Sequence, residues 1–248
     1  VTSDGLLAAG RPGDALTWMD ARVRGKPVLS RAGCPVELTA LWALACQTLS
    51  RLAKAVDQTA LADRADTAAH RARTAFQSRF WCEATAYPYD VISEESEGEN
   101  VFQDKSIRPN AVWALAIDPA CFSPERARAT LERARRDLVT PAGLRTLAPH
   151  EEQYRGRCEG TVDERYASHH QGSVFPWLLG PYARAVRAVL PPEDPLVVEL
   201  PSLVASAAAR ELAVGHIPQV VYGDDPQQLS GCVAHALGVA ELLRAIKD

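Results

Sequence analysis

Trp18 and Asp20 stand two residues apart in Leu16-Thr17-Trp18-Met19-Asp20-Ala21, a segment flanked by Gly and Pro that precedes the first long apolar-periodic stretch. Cleaving a glycosidic bond needs a carboxylic acid to protonate the departing oxygen, and an aromatic ring gives a sugar face something to stack on. This pair could supply both. An isolated W-x-D is more often a turn cap beside a core tryptophan, so the pair gains weight only from its company. Downstream stand Glu37, Arg108, Asn110, Tyr154, His170, Gln171 and Trp177. His170 and Gln171 offer donors and acceptors suited to hydroxyl groups, and Tyr154 and Trp177 offer further aromatic faces. Each also has a plainer use. Glu37 opens a helix, where a carboxylate is worth about 0.3–1 kcal/mol against the helix dipole. Arg108 and Asn110 could cap the third helix, and the others could pack or tie loops.

Helical elements must position these groups, because three- and four-residue apolar spacing dominates and alternating strands are scarce. The clearest helix runs from Pro35, placed at its first position, to about residue 56, with Leu38, Leu41, Trp42, Ala45, Leu49, Leu52 and Val56 in register. Further helices are predicted over about 58–80, 111–117, from Ser123-Pro124 onward, 174–190 with bends at Pro176 and Pro181, 196–214 and 231–246, about seven in all. Three long connections, 81–108, 140–169 and 215–230, are where functional groups are expected to gather. Residues 93–100, SEESEGEN, read as a solvated acidic turn. The rings of His169 and His170 are expected on opposite sides of the local backbone. Antiparallel helix pairs with functional loops at one end describe an α/α toroid, a generic bundle or a solenoid, and periodicity does not separate these.

Composition narrows the function classes. The 248 residues are 47% hydrophobic and 23% charged, as in ordinary globular chains. The formal charge is −4 and the 27 Lys and Arg are scattered, which excludes a nucleic-acid stripe and favours a neutral polar ligand. No apolar run is long enough to span a bilayer. The 6 Cys are far apart without C-x-x-C spacing, and the 6 His show no ligand pattern, so neither a metal nor a disulfide framework nor any cofactor is expected. Reduced thiols point to the cytoplasm.

The motif blocks decide among these architectures. Arg31-Ala32-Gly33-Cys34-Pro35-Val36-Glu37-Leu38-Thr39-Ala40-Leu41-Trp42 is followed by Ser106-Ile107-Arg108-Pro109-Asn110, by Gly143-Leu144-Arg145-Thr146-Leu147, and by the run from His170-Gln171-Gly172-Ser173 through Val174-Phe175-Pro176-Trp177 to Leu178-Leu179-Gly180-Pro181. In this order, over nearly the whole chain, they resemble the C-terminal amylo-α-1,6-glucosidase domain of glycogen debranching enzymes. The resemblance implies an all-α fold, the C-terminal part of an (α/α)6 toroid of the six-hairpin glycosidase type, spanning 1–248 as one domain. It also implies hydrolysis of the α-1,6-linked glucose at branch points of glycogen or limit dextrin, with inversion. In such chemistry a general acid and a general base face each other roughly 6.5–9.5 Å apart.

Asp20 matches the general-acid position, and its acidity would have to be tuned by apolar neighbours such as Trp18. Pocket roles carry over to Trp18, Glu37, Arg108, Asn110, Tyr154, His170, Gln171 and Trp177. The general-base position, a Glu in the family, is occupied here by Gln219. A carboxamide cannot take a proton from water, so base assistance of about 10²- to 10⁴-fold is expected to be missing unless Asp224 or Asp225 substitutes. A closed ring needs more helices than are counted here, so a truncated chain or the product of a degenerate gene is expected, with self-association or a partner chain completing the toroid. The alternative is a non-catalytic glucan-binding or scaffold toroid. A helical interaction module would show a fixed short repeat, and none is found.

Overall fold

A computed structural model describes residues 1–93, 102–212, 215–225 and 227–247. Most of the acidic segment 93–100 therefore lies outside the described residues. The helices are α1 (Val36–Ala55), α2 (Thr59–Arg79), α3 (Asn110–Ile117), α4 (Pro124–Asp137), α5 (Val162–Ser168), α6 (Leu179–Val189), α7 (Pro195–Leu212) and α8 (Ala236–Lys247). The expected helices are present, and α5 is an addition.

α1 and α2 form an antiparallel hairpin. α2 buries Ala62, Ala65, Ala69, Ala72 and Ala75 at helical spacing, and this small-residue stripe lets α1 approach closely. The face that α1 buries is also small: Val36, Ala40, Ala43, Cys46, Ser50 and Ala53. Several of its large apolar residues lie on the opposite side, where Leu41, Leu49, Leu52 and, at the C-cap, Val56 are exposed, Leu52 at 62% and Val56 at 65%. Periodicity identified the helix correctly, but its leucine stripe is not the side that packs within this chain. α8 likewise exposes Leu237, Val239, Leu243 and Ile246.

α3 is apolar all round and sits at the centre, against α1, α4 and α6. It stops at Asp118, which precedes Pro119 and leaves the helical region at φ −143° and ψ 88°, as proline disfavours helical dihedrals in the residue before it. Ser123 caps α4 by accepting from the Arg126 N–H, with Pro124 at the first position, as its sequence predicts. Pro35 is the residue before α1 instead of its first turn. The helix expected from 174 begins at Leu179, after a strand at Val174–Phe175 and a 3-10 turn at Pro176–Leu178. Pro176 stands at the first position of the 3-10 turn and Pro181 in the first turn of α6, so neither lies in a helix interior. α8 starts at Ala236 and not at Gly231.

Short strands knit the loops at the helix ends, so the fold is mostly helical without being purely so. An antiparallel sheet of five strands runs Leu229–Ser230, Val220–Val221, Val174–Phe175, Gly143–Arg145, Val139–Thr140. Strands of two or three residues leave no alternation to read in sequence, yet pairing them satisfies backbone groups that loops would otherwise bury. At Gly143 the backbone has φ 142°, and a Cβ there would lie 2.6 Å from the Phe175 carbonyl oxygen, so only glycine lets these two strands meet. This sheet joins the segment after His170-Gln171 to the segment after Gln219. It thereby brings two distant loops to one end of the helices.

Candidate functional site

The loop that carries Asp20 is anchored through Trp18. The Trp18 indole N–H donates to Asn110 Oδ1 at 2.7 Å. The Asn110 amide donates in turn to Asp90 Oδ1 at 2.7 Å. Asp90 accepts from Arg31 Nε at 2.8 Å, and Arg31 also grips Glu37, with Nη2 to Oε2 at 2.7 Å. Burial works against the charge on Arg31, but the Asp90 and Glu37 carboxylates outweigh it and hold the guanidinium above its ordinary value. Glu37 and Asn110 are thus fully engaged inside the protein and do not face a cavity. The Trp18 ring meets four others edge-on, His170 at 5.2 Å, Phe175 at 5.7 Å, Trp177 at 5.1 Å and Trp113 at 6.3 Å. Trp18 and the buried Trp177 are therefore packing partners of each other. The buried Trp177 presents no open stacking face, and the Asp20 side chain is 72% exposed despite standing near Trp18.

A second anchor holds the loop at 168–173. Arg108, wholly buried, donates from Nη1 to the carbonyl oxygens of His170 at 2.8 Å and Thr146 at 3.2 Å, and from Nη2 to Gln171 Oε1 at 2.7 Å. The Gln171 amide donates to Gln153 Oε1 at 3.1 Å. Arg108 and Gln171 therefore tie the loop together. His170, 2% exposed, has no hydrogen-bond partner at either ring nitrogen among the described residues. Its Nε2 lies 3.8 Å from Asp20 Oδ1. Burial, reinforced by His169, Arg108 and Arg31, pushes the imidazole well below its ordinary value, so it is neutral near pH 7. The rings of His169 and His170 lie together at 4.8 Å instead of on opposite sides, with His169 closing α5 in helical conformation.

Asp20 and Gln219 line one cavity of about 720 Å³, together with Arg22, Arg165, Tyr166 and His169. The Gln219 backbone N–H donates to the Cys232 carbonyl oxygen at 2.8 Å. Its carboxamide oxygen lies by Gly231, where a Cβ would approach to 3.4 Å. Tyr154 and Asp224 belong to a neighbouring hollow of about 680 Å³, and the Tyr154 hydroxyl donates to Asp224 Oδ1 at 2.9 Å. Burial first, and then this bond, pushes the Tyr154 phenol up to about 12. Asp224 is thus engaged outside the cavity that holds Gln219, and Asp225 lines neither hollow.

The sequence model of the amylo-α-1,6-glucosidase family matches residues 1–244. The chain belongs to the amylo-α-1,6-glucosidase family. A glycogen debranching enzyme of Saccharomyces cerevisiae is 32% identical to it over 90 residues, 34% of this chain and 6% of the yeast protein. This amylo-α-1,6-glucosidase family member thus matches a small part of that relative's length. Arg22 and Arg165 were missed in the sequence, because scattered arginines carry no spacing signal. α5, which supplies Arg165, was legible in principle from Thr161 and Glu164, which form a capping box. Five of the six cysteines are buried. No helix among the described residues is long and apolar enough to cross a membrane.

Proposed function

We propose that this chain recognises the α-1,6-linked glucose at branch points of an α-glucan such as glycogen or limit dextrin. Asp20 acts as the general acid and Gln219 occupies the place of the general base in an inverting site. The carrying observation is that Asp20 and Gln219, 199 positions apart in the chain, line a single cavity of about 720 Å³. A carboxamide there can hold water by hydrogen bonds but cannot deprotonate it, and Asp224 is committed to Tyr154. Hydrolysis is therefore slowed by about 10²- to 10⁴-fold relative to a site with a carboxylate. His170 contributes a neutral donor or acceptor beside Asp20. Glu37, Arg108, Asn110, Gln171 and the two tryptophans act by holding the loops.

The helical hairpins fit the C-terminal part of an (α/α)6 toroid. The exposed leucine faces of α1 and α8 fit contact with further helices, from a second copy or another chain. Buried, well separated cysteines favour the cytoplasm. A second reading, a glucan-binding domain without catalysis, is favoured by Gln219 itself. Glucose release from limit dextrin by the Gln219→Glu variant separates the two. A gain of at least tenfold over the native chain supports the enzyme reading. Retention on a glycogen column with no glucose release by either protein supports the second.

A further inference from the structure

Resting on this glucoside-recognising reading, we propose that inorganic phosphate takes the place of water in this site, so that the chain carries out inverting phosphorolysis of α-glucosides. A carboxamide at the base position disables water as a nucleophile because water must lose a proton as it attacks. A phosphate dianion already offers an unprotonated oxygen and needs no base. What it needs instead is positive charge and hydrogen-bond donors on the side of the sugar opposite the acid.

The cavity that Asp20 lines also holds guanidinium groups and a carboxamide. The whole chain carries a formal charge of −4 and has no general attraction for anions. Yet the uncommitted charges facing this cavity are one carboxyl group, Asp20, and two guanidinium groups, Arg22 and Arg165. Arg22 uses Nη1 on the Gly25 carbonyl oxygen at 2.9 Å, and Arg165 uses Nη1 on the Gly160 carbonyl oxygen at 2.6 Å. Among the described residues neither has a carboxylate partner, and Nε and Nη2 of each remain as donors. The acidic side chains nearby are spoken for. Asp163 pairs with Arg24 at 2.7 Å, Glu164 accepts from Thr161 at 2.7 Å, and Glu159 lies 3.8 Å from Arg157. The hairpin that bears Arg22 packs against α5, which bears Arg165. The Gln219 carboxamide, a donor where a glutamate would repel an anion, lines the same cavity.

The reaction balances without a further reagent. A phosphate oxygen forms a bond to C1 of the glucosyl unit, and the bond from C1 to the glucan oxygen breaks with its electron pair on that oxygen. The Asp20 carboxylic acid gives its proton to the departing oxygen and regains one from the phosphate hydroxyl through solvent. The products are β-glucose 1-phosphate and the debranched glucan.

The test incubates the purified chain with glucosyl-branched limit dextrin, with and without inorganic phosphate, followed by phosphorus NMR and a free-glucose assay. Sugar phosphate is expected only with phosphate present, in at least tenfold excess over free glucose. The Arg22→Ala/Arg165→Ala double variant should lose at least tenfold of it while melting like the native chain and staying on a glycogen column. The Gln219→Glu variant should shift product toward free glucose. Sugar phosphate that is absent while glycogen retention persists, or undiminished in the double variant, overturns the phosphate assignment alone. Loss of retention in the native chain overturns the glucan reading together with it.

Discussion

Replacing Trp18 with Phe keeps a ring in the aromatic cluster and removes one hydrogen-bond donor. The bond lost is the 2.7 Å contact to Asn110 Oδ1, and Asn110 is 0% exposed, so no water can replace the indole. Leaving a buried acceptor unsatisfied costs about 1–3 kcal/mol. The smaller ring forfeits apolar burial worth about 1 kcal/mol at roughly 25 cal/mol per Å². The sum, about 2–4 kcal/mol, lowers the melting temperature by about 4–16 °C for a chain of this length. A double-mutant cycle with Asn110→Ala isolates the hydrogen bond from the ring, because each single variant removes the same contact. A coupling of about 1–2 kcal/mol is expected from urea unfolding. Hydrogen exchange over residues 17–21 should quicken in the Trp18→Phe variant, since Asp20 rides on that loop. A coupling under about 0.5 kcal/mol, or unchanged exchange, refutes the claim that the network from Arg31 through Asn110 anchors the candidate acid.

Other expectations follow from the same contacts. Leu52→Glu combined with Val56→Glu, on the exposed face of α1, should leave the melting point within about 1 °C while shifting sedimentation toward monomer; unchanged sedimentation would remove α1 from any association surface. Gly143→Ala, at φ 142° and against the Phe175 carbonyl, should cost about 1–3 kcal/mol in urea unfolding. For His170 the folded pKa is depressed below the ordinary 6.5, so the unfolded chain binds the proton first and stability falls as pH drops through 6.5. The slope from this group is about 1.4 kcal/mol per pH unit, and the His170→Phe variant should show a shallower loss between pH 7 and pH 5.5.

Local signals in the sequence located elements well and their faces poorly. Ser123-Pro124 marks the start of α4 because a cap and a first-turn proline act within four residues. The leucine stripe of α1 marks a helix equally well, but which stripe is buried depends on partners outside the helix, and within this chain the alanines of α2 select the small face. The five-stranded sheet was invisible, since its pairings join residues as distant as 145 and 174, or 174 and 221, through strands too short to alternate. The family resemblance carried by the motif blocks brought out Asp20 and Gln219, and both line one cavity. It could not separate groups that face the cavity from those that brace it. Glu37, Asn110, Arg108 and Gln171 have side chains as polar as any sugar ligand, and only their buried partners reveal that they hold loops.

That division lets the side chain at position 219 vary without loss of the fold. The loop that carries Asp20 hangs from a buried charge network, where removing one partner from a buried ion pair costs about 3–5 kcal/mol. Gln219 is held by its backbone, through the N–H to Cys232 and the adjoining strand, and among the described residues its carboxamide makes no hydrogen bond. Exchange of Glu for Gln at that point changes chemistry while leaving packing volume and backbone pairing in place. The Gln219→Glu variant should therefore unfold within about 0.5 kcal/mol of the native chain, as a substitution away from any buried contact does. A larger change would mean that the carboxamide is a structural tie, and that activity differences in that variant report folding and not proton transfer.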